Sequence, residues 1–196
     1  VNTNNTTVSS GTYEYRVLVS ATGLDCQTAT SPLDTLVIYN DPVISTEPVG
    51  DTICSGSTYT MSVAASGTIT PSTITYQWQI SANGSTGWAN VSSGTGGTSD
   101  TYTTIANTAT PPTPFIQYYR AIVYQSPSGC SDTSRVILVK WNPIPAVNSA
   151  STTKSCNGAE YNYAITSNVT GTTYTWTAEQ HTGSTITGFS SCASTC

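Results

Sequence analysis

The sequence predicts an all-β protein built from tandem two-sheet sandwiches of about 100 residues each, and three observations carry that prediction. Charged residues make up only 8% of the 196 residues while 37% are hydrophobic, so Thr, Ser and Asn supply the polar surface that charge supplies in an average globular protein. Short runs alternate apolar and polar residues with a period of two, as half-buried strands do, and no stretch sustains a 3.6-residue apolar period. Landmark clusters also return at a spacing close to 100 residues, the signature of a repeat architecture.

The repeat is read most directly from its second half. Tyr15-Arg16-Val17-Leu18-Val19 followed by Asp25-Cys26 returns as Tyr119-Arg120-Ala121-Ile122-Val123 followed by Gly129-Cys130, with Tyr15 to Tyr119 and Cys26 to Cys130 both displaced by 104 positions. The apolar runs behind them, Leu36-Val37-Ile38-Tyr39 and Val136-Ile137-Leu138-Val139, lead into proline-bearing joints at Asn40-Asp41-Pro42 and Asn142-Pro143-Ile144-Pro145. Past each joint, Ile53-Cys54-Ser55-Gly56 with Tyr59 returns as Ser155-Cys156-Asn157-Gly158 with Tyr161, and Tyr76-Gln77-Trp78 returns as Tyr174-Thr175-Trp176. Residues 1–41 are therefore expected to be the C-terminal part of one module, 42–142 a complete module, and 143–196 the N-terminal part of a third, so that the chain is a window of a longer array.

Within the complete module each strand follows from its alternation. Ser57 to Ala65 sets Tyr59, Met61, Val63 and Ala65 on one face, and Thr75 to Ile80 sets Tyr76, Trp78 and Ile80 on one face. These correspond to strands B and C of an immunoglobulin-like sandwich, in which a buried Trp on strand C is a hallmark. A strand beginning at Gln117 places Tyr119 where that fold has its corner tyrosine, and Ala121 where antibody domains have the core cysteine. The predicted core is Val63, Trp78, Tyr119, Ala121, Val123 and Ile137, with Trp176 as the counterpart of Trp78 in the third module and no disulfide between strands B and F. Gly94-Thr95-Gly96-Gly97 has no following Lys or helix start and is expected to be a flexible turn rather than a phosphate loop.

The blocks Tyr76-Gln77-Trp78-Gln79-Ile80-Ser81 through Gly87-Trp88, Ser99-Asp100-Thr101-Tyr102-Thr103, Tyr118-Tyr119-Arg120-Ala121 and Ser128-Gly129-Cys130-Ser131-Asp132 resemble the immunoglobulin-like and PKD-like repeats of giant surface proteins of Bacteroidota. In that family such repeats stand in tandem arrays on secreted adhesins, including those of gliding bacteria exported by the type IX route. Similar repeats also link domains of secreted polysaccharide-degrading enzymes. The third module, with Thr182-Gly183-Ser184-Thr185-Ile186-Thr187-Gly188-Phe189, resembles the PKD-like variant. The resemblance further implies O-glycosylation at Asp-Ser/Thr followed by an apolar residue, a pattern fitted by Asp34-Thr35-Leu36 and Asp51-Thr52-Ile53 and hence by Thr35 and Thr52.

Six Cys beside one His and one Met point to disulfides formed outside the cytosol rather than to a metal site. Cys54 and Cys130 are an obvious pair inside one module. In an ordinary immunoglobulin topology, however, the turn before strand B and the turn between F and G lie at opposite poles, about nine residues of strand or roughly 30 Å apart, and a disulfide needs its Cα atoms within about 7 Å. Two schemes stay open for Cys26, Cys54, Cys130 and Cys156: bonds within a module, or bonds from one module to the next. Cys192 and Cys196, with three residues between them in a polar loop, are expected to form a local pair.

The inventory for chemistry is short. One His (His181), ten carboxylates in scattered turns and no nucleophile, zinc-protease or phosphate-loop motif give no catalytic, cofactor or metal site. A net charge of −5 with five Lys and Arg scattered singly leaves no basic patch for nucleic acid, and no apolar run approaches the roughly 20 residues that span a bilayer. Trp88 and Trp141 are the aromatics left without a core role and are candidates for stacking on sugar rings. The expected function is that of an extracellular, cell-surface stalk whose partners are neighbouring modules and, at a distance, surface glycans or a host or substratum. A carbohydrate-binding or spacer module of a secreted enzyme and a strand-exchanged fibre subunit are the alternatives.

Overall fold

The computed structural model describes residues 9–20, 23, 28–150, 153–154, 156, 158–159, 163–175 and 177. Trp176, Cys26, Cys192, Cys196 and His181 lie outside the described residues, which contain strands and no helix.

The described residues before Tyr39 contribute a doubled hairpin. Strand β1 (Gly11–Tyr15), β2 (Leu18–Val19), β3 (Ala29–Thr30) and β4 (Asp34–Ile38) pair antiparallel as β1 with β4 and β2 with β3. The register slips by one residue between the two pairings, and Ser31 spans the slip. Its N–H donates to the Val17 carbonyl at 2.9 Å, while its hydroxyl accepts the Val17 N–H at 2.9 Å.

Residues 43–142 form a sandwich from β5 (Val43–Thr46), β6 (Asp51–Cys54), β7 (Thr60–Ser62), β8 (Ala64–Ser66), β9 (Thr73–Ser81), β10 (Ala89–Asn90), β11 (Thr101–Thr103), β12 (Phe115–Ser126), β13 (Ser131–Thr133) and β14 (Ile137–Asn142). One layer runs β10-β9-β12-β14-β6, with β13 also on β12; the other holds β5 against β8 and β7 against β11. All these pairs are antiparallel except β6 on β14, which is parallel. In immunoglobulin terms β5 and β6 are the two halves of strand A, β7 and β8 are B, β9 is C, β11 is E, β12 is F, and β13 with β14 is G. The chain crosses from one layer to the other between β5 and β6, at Glu47-Pro48-Val49-Gly50. Buried Pro48 cannot donate to a ladder, and Arg135 fixes the crossing by donating its Nε to the Pro48 carbonyl at 2.8 Å and its backbone N–H to Glu47 Oε2 at 2.9 Å.

The layers meet over Met61, Val63, Trp78, Tyr102, Ala109, Tyr119, Ala121, Val123, Ile137, Val139 and Trp141. Along β12 and β14 the period of two sends Tyr119, Ala121, Val123, Ile137, Val139 and Trp141 inward. Ala121 faces Trp78 across the β12–β9 pair, so a small side chain sits opposite the large indole, and both are fully buried. Trp78 stacks on Tyr102 with centroids 5.9 Å apart, and Tyr102 leans on Tyr119 at 5.9 Å. Each buried indole also finds an acceptor, Trp78 at the Ser99 carbonyl and Trp141 at the Ser57 carbonyl, so neither ring is buried with an unsatisfied N–H.

Two elements differ from the sequence reading. Strand B is not one run from Ser57 to Ala65 but two, β7 and β8. Val63 between them donates its N–H to the Asp100 carbonyl at 2.9 Å while its side chain enters the core. The glycine cluster is a turn, but one pinned by backbone hydrogen bonds rather than loose. Thr95 and Thr103 exchange backbone hydrogen bonds at 2.9 and 2.8 Å, and Gly97 accepts the Trp78 N–H at 2.8 Å. Gly96 has a φ of +84°, and a Cβ there would stand 2.1 Å from the Thr101 carbonyl oxygen. Glycine is needed for this close backbone approach.

Past Asn142 the chain repeats a pairing from the start of the sandwich. Val147 bridges antiparallel to Ser167, as Ile44 pairs with Ala65 in β5 and β8.

Candidate functional site

Both ends of the sandwich are built around the joints. At the N-terminal pole the turn after β12 is closed by Gln125 N–H to the Cys130 carbonyl and Gly129 N–H to the Gln125 carbonyl, both at 2.9 Å. Gln125 is 1% exposed and ties three segments together. Its amide nitrogen donates to Ser128 Oγ at 3.0 Å and to the Asn40 carbonyl at 3.4 Å, and its amide oxygen accepts the Thr68 N–H. Thr68 Oγ1 donates to the same Asn40 carbonyl at 2.9 Å. Cys130 Sγ lies 3.9 Å from the Tyr39 carbonyl oxygen. The segment before Pro42, itself buried, is thus held on three sides by side chains of the sandwich.

At the opposite pole Asn142, the last residue of β14, pairs with Cys54, and its carbonyl accepts the Ser55 N–H at 2.8 Å. Ser55 Oγ accepts the Ala109 N–H at 2.9 Å, while Gly56 N–H donates to Asn107 at 2.8 Å. The turn carrying Cys54 is therefore anchored to the outgoing chain.

The hairpin of residues 11–38 and that of 115–141 are one structure seen twice. Gly11 pairs with Ile38 as Phe115 pairs with Trp141. Ser134 repeats the role of Ser31: its N–H donates to Ala121 O at 2.9 Å and its hydroxyl accepts the Ala121 N–H at 2.8 Å. The same register makes Tyr39 the counterpart of Asn142. Neither serine is singled out by composition or alternation. The signal that marks them is a Thr-Ser dipeptide, Thr30-Ser31 and Thr133-Ser134, following the cysteine in both copies.

Among the described cysteines, Cys54, Cys130 and Cys156 are free thiols. Cys54 is level with Asn142, one position past the Trp141–Phe115 pair, and Cys130 is level with Gln125. About eleven residues of β12 separate the two levels, roughly 35 Å at about 3.3 Å per residue, which no disulfide spans. Thr35 and Thr52 are exposed on β4 and β6, each with its N–H on the preceding carboxylate, Asp34 Oδ1 at 2.9 Å and Asp51 Oδ1 at 2.7 Å.

The two tryptophans left open as sugar platforms have packing roles. Trp141 is fully buried. Trp88 lies beneath Arg120, whose guanidinium carbon is 4.3 Å from the ring centroid and whose Nε donates to Gln79 Oε1 at 2.9 Å; a cation over an indole face is attracted by its quadrupole. Among the described residues no three His, Cys, Asp or Glu converge on a metal position. Tyr102 is pushed above the usual phenol value by burial, and Tyr119 further, by burial and then by Tyr102. Both rings are core members, so these shifts report packing.

No curated protein matches the chain. Among solved structures it is similar to the I-band fragment I67–I69 from titin, at 16% identity with a TM-score of 0.34, covering 57% of this chain and 36% of that one. It is also similar to the titin domains z1z2 in complex with telethonin, at 18% identity with a TM-score of 0.33, covering 69% of this chain and 62% of that one. The chain thus spans less than two thirds of either titin structure, and the sandwich assignment rests on the strand pairing above. Residues 45–143, half of the chain and nearly the whole of the sandwich, match the family described as "Domain of unknown function (DUF8696)", and the chain belongs to that family.

Proposed function

We propose that this chain is a segment of the stalk of a secreted cell-surface adhesin, in which tandem sandwiches hold a distal binding region away from the cell. The observation that carries the reading is the repeated Ser-bridged hairpin, Val17 with Ser31 and Ala121 with Ser134, followed in the first copy by a joint clamped by Gln125, Thr68 and Cys130 of the next module. A repeat that grips the chain leaving its predecessor favours a directed rod over loosely strung beads. The resemblance to Bacteroidota surface repeats supports the adhesin assignment, an extracellular location and export by the type IX route, with Thr35 and Thr52 as glycosylation sites and modules 1–41, 42–142 and 143–196 as units of the array. The carbohydrate-binding alternative calls for a flat row of exposed Trp or Tyr on one sheet. Trp78 and Trp141 are core and Trp88 is capped by Arg120, while of the exposed rings Tyr13 and Tyr15 lie on β1, Tyr124 on β12 and Tyr39 in the joint after β4.

The test is made on the secreted polypeptide that contains this chain. Electron micrographs are expected to show a rod gaining roughly 40 Å per repeat, the length of a twelve-residue strand such as β12, and cells lacking the gene are expected to lose surface attachment. A compact particle, or full attachment without the gene, refutes the stalk.

A further inference from the structure

We infer that Cys54 of one repeat forms a disulfide with the F–G-turn cysteine of the following repeat, so that a covalent bond crosses every joint. The inference rests on the tandem-array reading and adds to it a bond that holds neighbouring repeats at a fixed angle.

Two facts about the cysteines converge. The separation of roughly 35 Å along β12 between the level of Cys54 and that of Cys130 bars a bond inside the module. Each thiol instead sits at a joint. Cys54 pairs with Asn142, and the carbonyl of Asn142 accepts the N–H of Ser55, the residue after Cys54. One register step back in the array, the counterpart of Asn142 is Tyr39, fixed by the equivalence of Gly11–Ile38 with Phe115–Trp141. The Tyr39 carbonyl is the group that Cys130 Sγ approaches at 3.9 Å. The same backbone oxygen is therefore the meeting point of the thiol-bearing turn of the upstream repeat, seen at the second joint, and the thiol of the downstream repeat, seen at the first.

The sequence period agrees. Cys26 and Cys130 hold the F–G position, and Cys54 and Cys156 the position before strand B, so each joint receives one thiol of each class. The partner of Cys54 belongs to the repeat after residues 42–142, and the partner of Cys130 to the repeat before it. Closure removes two protons and two electrons from the thiol pair and forms one S–S bond. A protein or low-molecular-weight disulfide is the oxidant, and it is reduced to two thiols. Cys54 is exposed and Cys130 partly so, which leaves both open to that exchange.

The experiment is peptide mapping of the intact secreted polypeptide, its free thiols alkylated before denaturation and its disulfides left unreduced. The expected result is the Cys54 peptide joined to the F–G-turn peptide of the next repeat, and the Cys130 peptide joined to the pre-B peptide of the previous one. Substituting Cys54→Ser, an exposed change that leaves the core untouched, is expected to abolish that one cross-linked peptide and to yield one newly alkylated thiol in the following repeat. A Cys54–Cys130 bond, or recovery of both as alkylated thiols, overturns the inference while leaving the stalk standing. A polypeptide whose sequence carries no flanking repeats overturns the array reading itself, and the two failures are told apart by the sequence.

Discussion

Replacing Ser134 with Ala tests the hairpin motif. Ser134 is 4% exposed; its hydroxyl accepts the Ala121 N–H at 2.8 Å and donates to the Arg135 carbonyl at 3.1 Å. Ala121 is fully buried, so losing the hydroxyl leaves its N–H without an acceptor in a place water does not reach. An orphaned buried donor costs about 1–3 kcal/mol. In a domain of this size that is a fall in melting temperature of roughly 5–20 °C, at about 4–8 °C per kcal/mol. Ser131→Ala, three residues earlier in the same hairpin arm but with an exposed side chain, is expected to cost under about 0.5 kcal/mol. Urea unfolding of both variants, followed by tryptophan fluorescence with a shared slope, measures the difference. Equal costs for the two serines would refute the claim that the buried bond to Ala121 sets the penalty.

Trp141→Ala empties a fully buried indole site and strands the Ser57 carbonyl it serves; a loss of about 3–5 kcal/mol is expected, and near-native stability in the same urea assay would show that the ring is not core. Gly96→Ala forces a Cβ against Thr101 O at a positive φ and is expected to cost more than about 1 kcal/mol, with a thermal melt as the check. Tyr119 and Tyr102 hold their protons above the usual phenol value of 10.0 in the folded state, whereas the unfolded chain releases them there. Stability is expected to be indifferent to these groups below pH 10 and to fall as pH rises beyond it, by up to about 1.4 kcal/mol per pH unit for each ring that stays protonated. A denaturation midpoint that rises between pH 10 and 11 contradicts that sign.

Alternation made the sheet interior legible. Trp78, Tyr119, Ala121 and Val63 fall on faces that the period of two assigns inward, and the structure buries all four. Trp141 continues the alternation of Ile137 and Val139 but is its last inward residue before a proline-bearing joint, and its enclosure comes from β6, from Phe115 on β12 and from the Ser57 carbonyl, none of which the local pattern reveals. The glycine cluster looked loose because composition reports freedom of φ but not which neighbour the freedom serves; its partners are Thr101, Thr103 and Trp78, from a different strand in each layer. The joint clamp is invisible in the sequence for a related reason. Gln125, Thr68 and Asn40 are far apart in sequence and individually ordinary polar residues, and only the turn geometry brings their amide, hydroxyl and carbonyl groups together.

The parallel pairing of β6 with β14 has a mechanical consequence. The incoming chain is continuous with one strand and the outgoing chain with the other, so tension on the two termini drives Asp51 and Asn142 in opposite directions along a shared ladder. Its hydrogen bonds are loaded in shear and must yield together, whereas a hairpin opened from its tip gives way one bond at a time. With Cys54 bonded to the next repeat the load passes along β6 and around this ladder; in the Cys54→Ser chain, whose joints are held by the backbone alone, resistance to pulling is set by this short edge, and a proline at exposed Thr52 would weaken it.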